Sequence, residues 1–197
     1  MPRPRAFDEA SLLDAAIELF WVSGYRVTSL AEVSTTSGVT NGSLYQAYGS
    51  KRALFLAAYR RYCERRVATV AGVFVDGRDG VEQTVNAYFE AIVEECLSYP
   101  DRRGCLMLNT ISELGSDEEV GRITTATIDA MEAAVGDALR RVAPASSDPE
   151  VIAVSAAQTV ALSQALIHLS RAGRDRGSLR RIGAQAATST GRLLLAA

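Results

Sequence analysis

The sequence predicts an all-α protein of about nine helices. Apolar residues recur at intervals of three and four along almost the whole chain, and β-branched alternation never persists long enough to predict a strand. Capping residues and glycine or proline breaks divide this pattern into separate helical segments. With 197 residues, of which 48% are hydrophobic and 22% charged, the chain can fold around a sizeable core.

The first two helices are predicted by the residues at their ends. Asp8 is placed to cap a first helix that runs to about Val22, and Gly24 closes it. Ser29 and Glu32 have the spacing of a capping box, in which each side chain accepts a free backbone N–H. A second helix is therefore predicted to begin at this pair.

A short polar helix follows a glycine turn. Gly38 can adopt the positive φ that a sharp turn between helices needs, and Thr40 is placed to cap the next helix. Leu44 is predicted to face inward. The side chains predicted to face outward have donors and acceptors that reach DNA phosphates and base edges: Thr40, Asn41, Ser43, Tyr45 and Gln46. Two short helices joined in this way are typical of a helix-turn-helix that binds DNA.

Further breaks divide the rest of the chain into six helices. Ser116 with Glu119 forms a second capping box, and Asp148 before Pro149 is a strong helix start. The loop at 76–80 marks the predicted entry into a second, larger helical domain. The six predicted helices span 51–74, 81–98, 105–114, 116–142, 148–172 and 179–195.

Charge is distributed unevenly along the chain. The net charge is −2, yet residues 1–66 carry nine basic and six acidic side chains, whereas the remainder carries twelve basic and seventeen acidic ones. The basic part contains the predicted helix-turn-helix. Arg3 and Arg5 form a short basic tail that either enters a minor groove of DNA or is plain disordered charge.

The sequence also disfavours several classes of function. No stretch reaches the roughly 18 apolar residues of a membrane helix, and no apolar N-terminal segment resembles a signal peptide, so we expect a cytoplasmic protein without membrane contact. Cys63, Cys96 and Cys105 show no C-x-x-C spacing and His168 is the single histidine, so neither a metal site nor a cofactor is predicted. Without a carboxylate pair or a nucleophile motif, an enzyme is not expected.

Residues 12–59 carry a series of short motifs in a fixed order. They are Phe20–Tyr25, Thr28–Ser29, Ala31–Val33, Ser37–Val39, Gly42–Tyr45, Tyr48–Lys51 and Leu54–Phe55. Together they resemble the N-terminal domain of the TetR/AcrR family of transcriptional regulators. The resemblance implies a helix-turn-helix domain at 1–50 and a helical domain at 51–197 that binds an effector and dimerises. It further implies a homodimer that binds a near-palindromic operator in double-stranded DNA and is released, or occasionally engaged, by a small molecule. We expect a repressor, with an activator as the alternative.

The resemblance also assigns roles to individual residues. By the family pattern, phosphate contacts fall to Thr28, Ser29, Tyr45 and Lys51, base contacts to Thr40, Asn41, Ser43 and Gln46, and close backbone approach to Gly42. Tyr48 is also counted among the DNA-binding residues, with a position in the core as the alternative. Asn41 stands where the family commonly has Lys, and Gln46 where it commonly has His. We expect these departures to flatten the salt dependence of binding and to suit adenine edges.

The second domain has an apolar face with scattered polar groups. Such a face suits a pocket for a small apolar effector, although an ordinary helical core has the same pattern. The residues that we expect to contact the effector are Tyr88, Phe89, Met107, Ile111, Met131 and Gln158. The last two helices are rich in small residues, which favours dimerisation through a four-helix bundle, with an internal core as the alternative.

Two other functions are also compatible with the sequence. Cys105 follows Arg102 and Arg103 at a helix start, where positive charge favours a thiolate, so the protein could be a redox or electrophile sensor. The segment around Cys105 is similar to a Gly-Cys-Leu segment of many TetR-family regulators, in which the cysteine is often only a packing residue. A helical interaction module that does not bind DNA is the second alternative.

Overall fold

The computed structural model describes residues 7–75 and 80–196. Arg3, Arg5 and most of the predicted loop at 76–80 lie outside these residues. The described part contains nine α-helices and no strand, which confirms the predicted fold class. The helices are α1 (Glu9–Ser23), α2 (Leu30–Ser37), α3 (Asn41–Tyr48), α4 (Lys51–Gly72), α5 (Val81–Ser98), α6 (Leu106–Leu114), α7 (Glu118–Val142), α8 (Pro149–Arg171) and α9 (Arg176–Ala196).

Four helices begin at the predicted capping residues. The Asp8 carboxylate accepts the Ala10 N–H, and the Asp148 carboxylate accepts the Glu150 N–H. Ser29 forms the predicted capping box, and Thr40 caps α3. Each cap satisfies a backbone donor that the first turn of a helix leaves without an intrahelical partner.

Two helix starts differ from the prediction. Asp117, not Ser116, caps α7: its Oδ1 atom accepts the N–H groups of Glu119 at 3.0 Å and Val120 at 3.2 Å. An ionised carboxylate at this position satisfies two free donors at once and is favoured by the positive end of the helix dipole. Helix α9 begins three residues earlier than predicted, because Asp175 accepts the Ser178 N–H at 2.9 Å.

The chain divides into two compact units. The N-terminal unit comprises residues up to Arg65 together with Cys105–Thr124, and the C-terminal unit comprises Arg66–Gly104 and the residues from Thr125 onward. Helix α6 and the first turns of α7 thus pack with the predicted helix-turn-helix. The predicted domain boundary at residue 50 separates DNA binding from effector binding and dimerisation, and it stays a prediction.

Aromatic rings form the core of the N-terminal unit. The Phe55 ring lies edge-on to Phe20, with centroids 5.0 Å apart, and stacks on Tyr59 at 5.7 Å. Trp21 lies edge-on to Tyr62 at 5.2 Å. These contacts join α1 to α4, so the helix that follows the predicted helix-turn-helix is fixed to the same core.

The C-terminal unit is organised around α5, α8 and α9. Inside it, the Tyr88 hydroxyl of α5 donates to the Ser163 hydroxyl of α8 at 3.0 Å. At its surface, Arg180 of α9 pairs with Glu90 and Glu94 of α5. Buried polar contacts and surface ion pairs therefore both align α5 with the last two helices.

Candidate nucleic-acid interface

Helices α2 and α3 are joined by a tight glycine turn. Gly38 ends α2 in the left-handed conformation, with φ of 72° and ψ of 5°, a conformation that a Cβ atom disfavours. Thr40 then begins α3, because its hydroxyl accepts the Ser43 N–H at 3.3 Å. The turn brings two short helices together in the predicted arrangement, with Val33 and Leu44 buried.

The exposed side of α3 carries uncharged polar groups. Asn41, Gly42, Tyr45 and Gln46 are exposed, and 57% of Tyr45 is accessible, whereas Leu44 is 1% accessible. Amide and phenol groups of this kind both donate and accept hydrogen bonds. The predicted base-contacting face of α3 is therefore open to solvent.

Hydroxyl groups at the start of α3 are partly engaged with each other. The Thr40 and Ser43 hydroxyl oxygens lie 3.0 Å apart, with Thr40 exposed and Ser43 half-buried. This contact fixes the orientation of both side chains at the helix tip. Whichever hydroxyl donates in this contact, the proton of the other hydroxyl remains for an outside acceptor.

Thr28 and Ser29 have different surroundings. Thr28 is 1% exposed, and its hydroxyl oxygen lies 2.8 Å from the Gly24 carbonyl oxygen, so its side chain stabilises the turn before α2. Its predicted phosphate contact consequently has little support. Ser29 is exposed and its hydroxyl donates to the Glu32 carboxylate at 2.8 Å. Because the Ser29 N–H also donates to this carboxylate, the pKa of Glu32 lies below its ordinary value.

Lys51 is held at the first position of α4. Its Nζ atom lies 3.2 Å from the Arg26 carbonyl oxygen and 4.5 Å from the centroid of the Tyr25 ring. The ammonium is thus fixed in place by a hydrogen bond and a cation–π contact. Two of its three N–H donors remain for other acceptors, such as phosphate oxygens.

Tyr48 is bound to α1. Its hydroxyl donates to the Glu9 carboxylate at 2.9 Å, and the residue is half-buried. Tyr48 is therefore neither fully buried, as a core residue would be, nor fully exposed, as a DNA contact would be. Its hydrogen bond holds α3 against α1.

The surface around α2 and α3 has little charge. Between residues 27 and 50, Glu32 is the only charged side chain in the sequence. Cations stand at the edges of this stretch, at Arg26, Lys51 and Arg52. Any DNA bound here would meet its cationic contacts at the ends of the two helices, with neutral polar groups between them.

Two carboxylates of the same unit were missed by sequence reasoning. Glu113 at the end of α6 accepts the Tyr25 N–H at 2.9 Å and the Arg26 N–H at 2.7 Å. Asp117 accepts three hydrogen bonds from the Arg52 guanidinium with its two oxygens, at 3.0 to 3.1 Å. We call Glu113 and Asp117 the clasp. A local sequence pattern does not show such contacts, because the partners lie 65 to 88 residues apart.

The residues predicted to contact an effector are distributed over the two units. Tyr88, Phe89, Met131 and Gln158 belong to the C-terminal unit, whereas Met107 and Ile111 belong to the N-terminal unit. Phe89 and Gln158 line one pocket of about 290 Å³. The other residues that line this pocket are Thr159, Leu162, Ala186, Ser189, Thr190 and Leu193.

Cys105 lies in the interior. It is 5% exposed, and its Sγ atom accepts a hydrogen bond from the Tyr62 hydroxyl at 3.3 Å. The neighbouring Arg103 guanidinium pairs with Asp101 at 3.0 Å and lies over the Tyr99 ring. Buried thiols in such surroundings are typically packing residues. Among the described residues, no group of three potential ligands is placed to hold a metal ion.

Helix α8 is the one helix of the described part that is long and apolar enough to cross a membrane. In its most apolar stretch 44% of the residues are buried. Its residues 151–167 carry no charged side chain. Several of them are nevertheless exposed, namely Ala153, Val154, Gln158, Ala161 and Ala165.

Comparison with known proteins gives a consistent result. The family model "Bacterial regulatory proteins, tetR family" matches residues 12–58. The HTH-type transcriptional repressor ComR of Escherichia coli is 35% identical over 58% of this chain and 55% of its own length. The uncharacterized HTH-type transcriptional regulator YezE of Bacillus subtilis is 35% identical over 62% of this chain and 63% of its own length. The chain therefore spans less than two thirds of these relatives.

Solved structures extend the likeness beyond the N-terminal unit. A cysteine mutant of the TetR family transcriptional regulator CifR, in complex with 26-bp double-strand operator DNA, has a TM-score of 0.77 and 25% identity. The match covers 95% of this chain and 98% of that chain.

Proposed function

We propose that the chain is a ligand-responsive repressor of the TetR type that binds a near-palindromic operator as a homodimer, since residues 12–58 match the family model of these bacterial regulatory proteins. The observation that carries this proposal is the exposed face of α3, with Asn41, Tyr45 and Gln46, together with the fixed ammonium of Lys51 at the start of α4. Neutral groups that recognise base edges next to a cation for the phosphates form a DNA-binding surface. A regulator of this kind acts in the cytoplasm and catalyses no reaction.

Dimerisation is part of the proposal. The exposed side of α8 carries no charge and is largely apolar. Leu193 and Leu195 of α9 are also exposed, at 45% and 72%, and an exposed apolar surface of this kind is typical of an interface. A second copy packed on α8 and α9 would cover this surface. It would also supply the second α3 needed to reach two half-sites about one turn of DNA apart.

The effector site that we propose is the pocket lined by Phe89, Gln158 and Leu193. Because Gln158 and Leu193 also belong to the surface that the second copy would cover, this site would lie at the dimer interface. Its apolar walls and its amide and hydroxyl groups suit a small, largely apolar, uncharged molecule. Helix α4 is continuous from Lys51 to Gly72 and so belongs to both units. Effector binding that tilts α4 would change the separation of the two α3 helices and weaken simultaneous contact with both half-sites.

The thiol-sensor alternative has less support. Cys105 is buried and hydrogen-bonded to Tyr62, and Arg103 is paired with Asp101. An oxidant-reactive thiol is instead expected to be accessible and electropositive in its surroundings.

Binding to labelled duplexes from the region upstream of the gene tests the proposal. Fluorescence anisotropy should show saturable binding that weakens as salt increases, and Gln46→Ala should lower the affinity for the site more than for random duplex. Thr125→Ala, at an exposed position of α7, is the matched control. Equal weak binding to all duplexes in dilute buffer would contradict the proposal and favour a module without specific DNA binding.

A further inference from the structure

We infer that Glu113 is a positioning residue for operator binding, because its carboxylate fixes the two residues that hold the Lys51 ammonium. The inference rests on the proposed function, in which Lys51 contacts a DNA phosphate. It assigns to the end of α6 a direct part in forming the DNA-binding surface.

The Glu113 carboxylate binds the turn between α1 and α2 with both oxygens. Oε2 accepts the Tyr25 N–H at 2.9 Å, and Oε1 accepts the Arg26 N–H at 2.7 Å. Hydrogen bonds from backbone N–H groups to a carboxylate are short and stronger than bonds between neutral groups. Two of them at neighbouring residues fix both the position and the orientation of this turn.

Lys51 contacts the same two residues at other atoms. Its Nζ atom donates to the Arg26 carbonyl oxygen at 3.2 Å and lies 4.5 Å from the Tyr25 ring centroid. A shift of the turn would therefore move both contacts of the ammonium. The position of a long, flexible lysine side chain thus depends on a carboxylate that it does not itself touch.

The negative charge of Glu113 is unfavourable at the end of α6, and neighbouring groups compensate for it. It lies in the last turn of α6, where the negative end of the helix dipole disfavours a negative charge. Its side chain is 25% exposed, and the Arg26 guanidinium stands 3.9 Å away. Gly24, with φ of +82°, leaves room for it, since a Cβ atom there would stand 3.0 Å from Oε2. The two backbone N–H groups offset the unfavourable charge.

The second member of the clasp acts on the residue after Lys51. Asp117 binds the Arg52 guanidinium through two oxygens and also caps α7. Lys51 is thus fixed by two sets of contacts. Glu113 fixes the turn before α2, and Asp117 fixes Arg52 in the first turn of α4. Of the two carboxylates, Glu113 reaches the residues that touch the ammonium.

A double-mutant cycle on the mapped operator tests the inference. The variants are Glu113→Ala, Lys51→Met and their combination, with Glu118→Ala as the control, because Glu118 is an exposed carboxylate in the first turn of α7. Operator affinity is measured by anisotropy at several salt concentrations on the full chain, and circular dichroism confirms folding.

We expect Glu113→Ala to weaken operator binding about tenfold, equivalent to about 1.4 kcal/mol. It should also reduce the slope of log affinity against log salt by about 0.9, as Lys51→Met does, because both lose one phosphate contact. The combined variant should bind no more weakly than Lys51→Met alone, since Glu113 acts through Lys51. Glu118→Ala should bind like the unmodified chain.

Additive losses, or a weakened affinity with an unchanged salt slope, would overturn the inference. An unchanged or tighter affinity would also overturn it, and would mean that the carboxylate merely screens Arg26. If Glu113→Ala does not fold, Glu113→Gln keeps one acceptor oxygen and should give a smaller loss with the same dependence on Lys51. Absence of binding by the unmodified chain at low salt would instead overturn the proposed function.

Discussion

The hydroxyl oxygen of Tyr59 lies 2.7 Å from that of Thr124 in the interior of the N-terminal unit. Thr124 donates its own proton to the Val120 carbonyl oxygen at 2.8 Å, so the Tyr59 hydroxyl is the donor between them. Burial raises the pKa of Tyr59 above its ordinary value, which keeps this donor protonated. The bond connects α4 to the second turn of α7.

Removal of that donor should destabilise the protein. Tyr59→Phe leaves the Thr124 oxygen without its donor, and we expect a loss of about 1–2 kcal/mol in the free energy of unfolding in urea. The double variant Tyr59→Phe/Thr124→Val removes both polar partners and should lose no more than the single variant. A double variant whose loss is the sum of two independent losses would contradict the assigned bond.

Asp14 provides a prediction about pH. Hydrogen bonds from Arg61, then from Arg65, lower the pKa of its carboxyl from 3.8 to about 2. Because the pKa is lower in the folded state, the pair stabilises the fold above about pH 4, and this contribution is lost as the pH falls towards 2. The carboxylate is 41% exposed, so solvent screening limits the contribution to below about 1 kcal/mol.

Asp14→Asn measures this contribution. The variant should unfold at a lower urea concentration than the unmodified chain at pH 6, and the difference should disappear near pH 2. Added salt should reduce the difference at pH 6. A difference that stays constant from pH 6 to pH 2 would show that Asp14 stabilises the fold by some other contact.

Local signals in the sequence predicted most of the fold. Asp8, Ser29 and Thr40 cap helices through contacts with residues two or three positions away, so their roles follow from neighbouring residues alone. Asp117 was missed because a Ser–Glu capping box at the adjacent position appeared sufficient, although the carboxylate is the better acceptor.

Contacts between distant parts of the chain were not predictable in the same way. The two N–H partners of Glu113 lie almost ninety residues earlier, and no periodicity in α6 indicates them. Thr28 illustrates the opposite difficulty, because its predicted phosphate contact followed from a family pattern while burial of its side chain depends on the packing of α1. The six predicted effector residues were chosen by residue type, which does not determine the unit in which a side chain lies.

A lysine at position 41 should restore a cationic contact at the tip of α3. Asn41→Lys is expected to tighten operator binding at low salt and to steepen the slope of log affinity against log salt by about 0.9. Thr125→Lys adds the same charge at an exposed position of α7 and is the control. Equal changes in the two variants would mean that net charge, rather than a phosphate contact at position 41, governs binding.

Substitution of Cys105 should leave regulation intact. The buried thiol accepts a hydrogen bond from Tyr62, so Cys105→Ser should fold and bind the operator like the unmodified chain. Hydrogen peroxide should release neither protein from the operator in an anisotropy assay. Peroxide-induced release that Cys105→Ser abolishes would support the sensor alternative.

The most direct test of the central claim is the number of chains bound to one operator, measured by sedimentation of the complex on a footprinted duplex. We expect two chains per operator, with protected half-sites whose centres lie about 34 Å apart along the DNA, because each α3 occupies one major groove. A single bound chain, or no complex in dilute buffer, would contradict the account of a homodimer that presents two copies of α3.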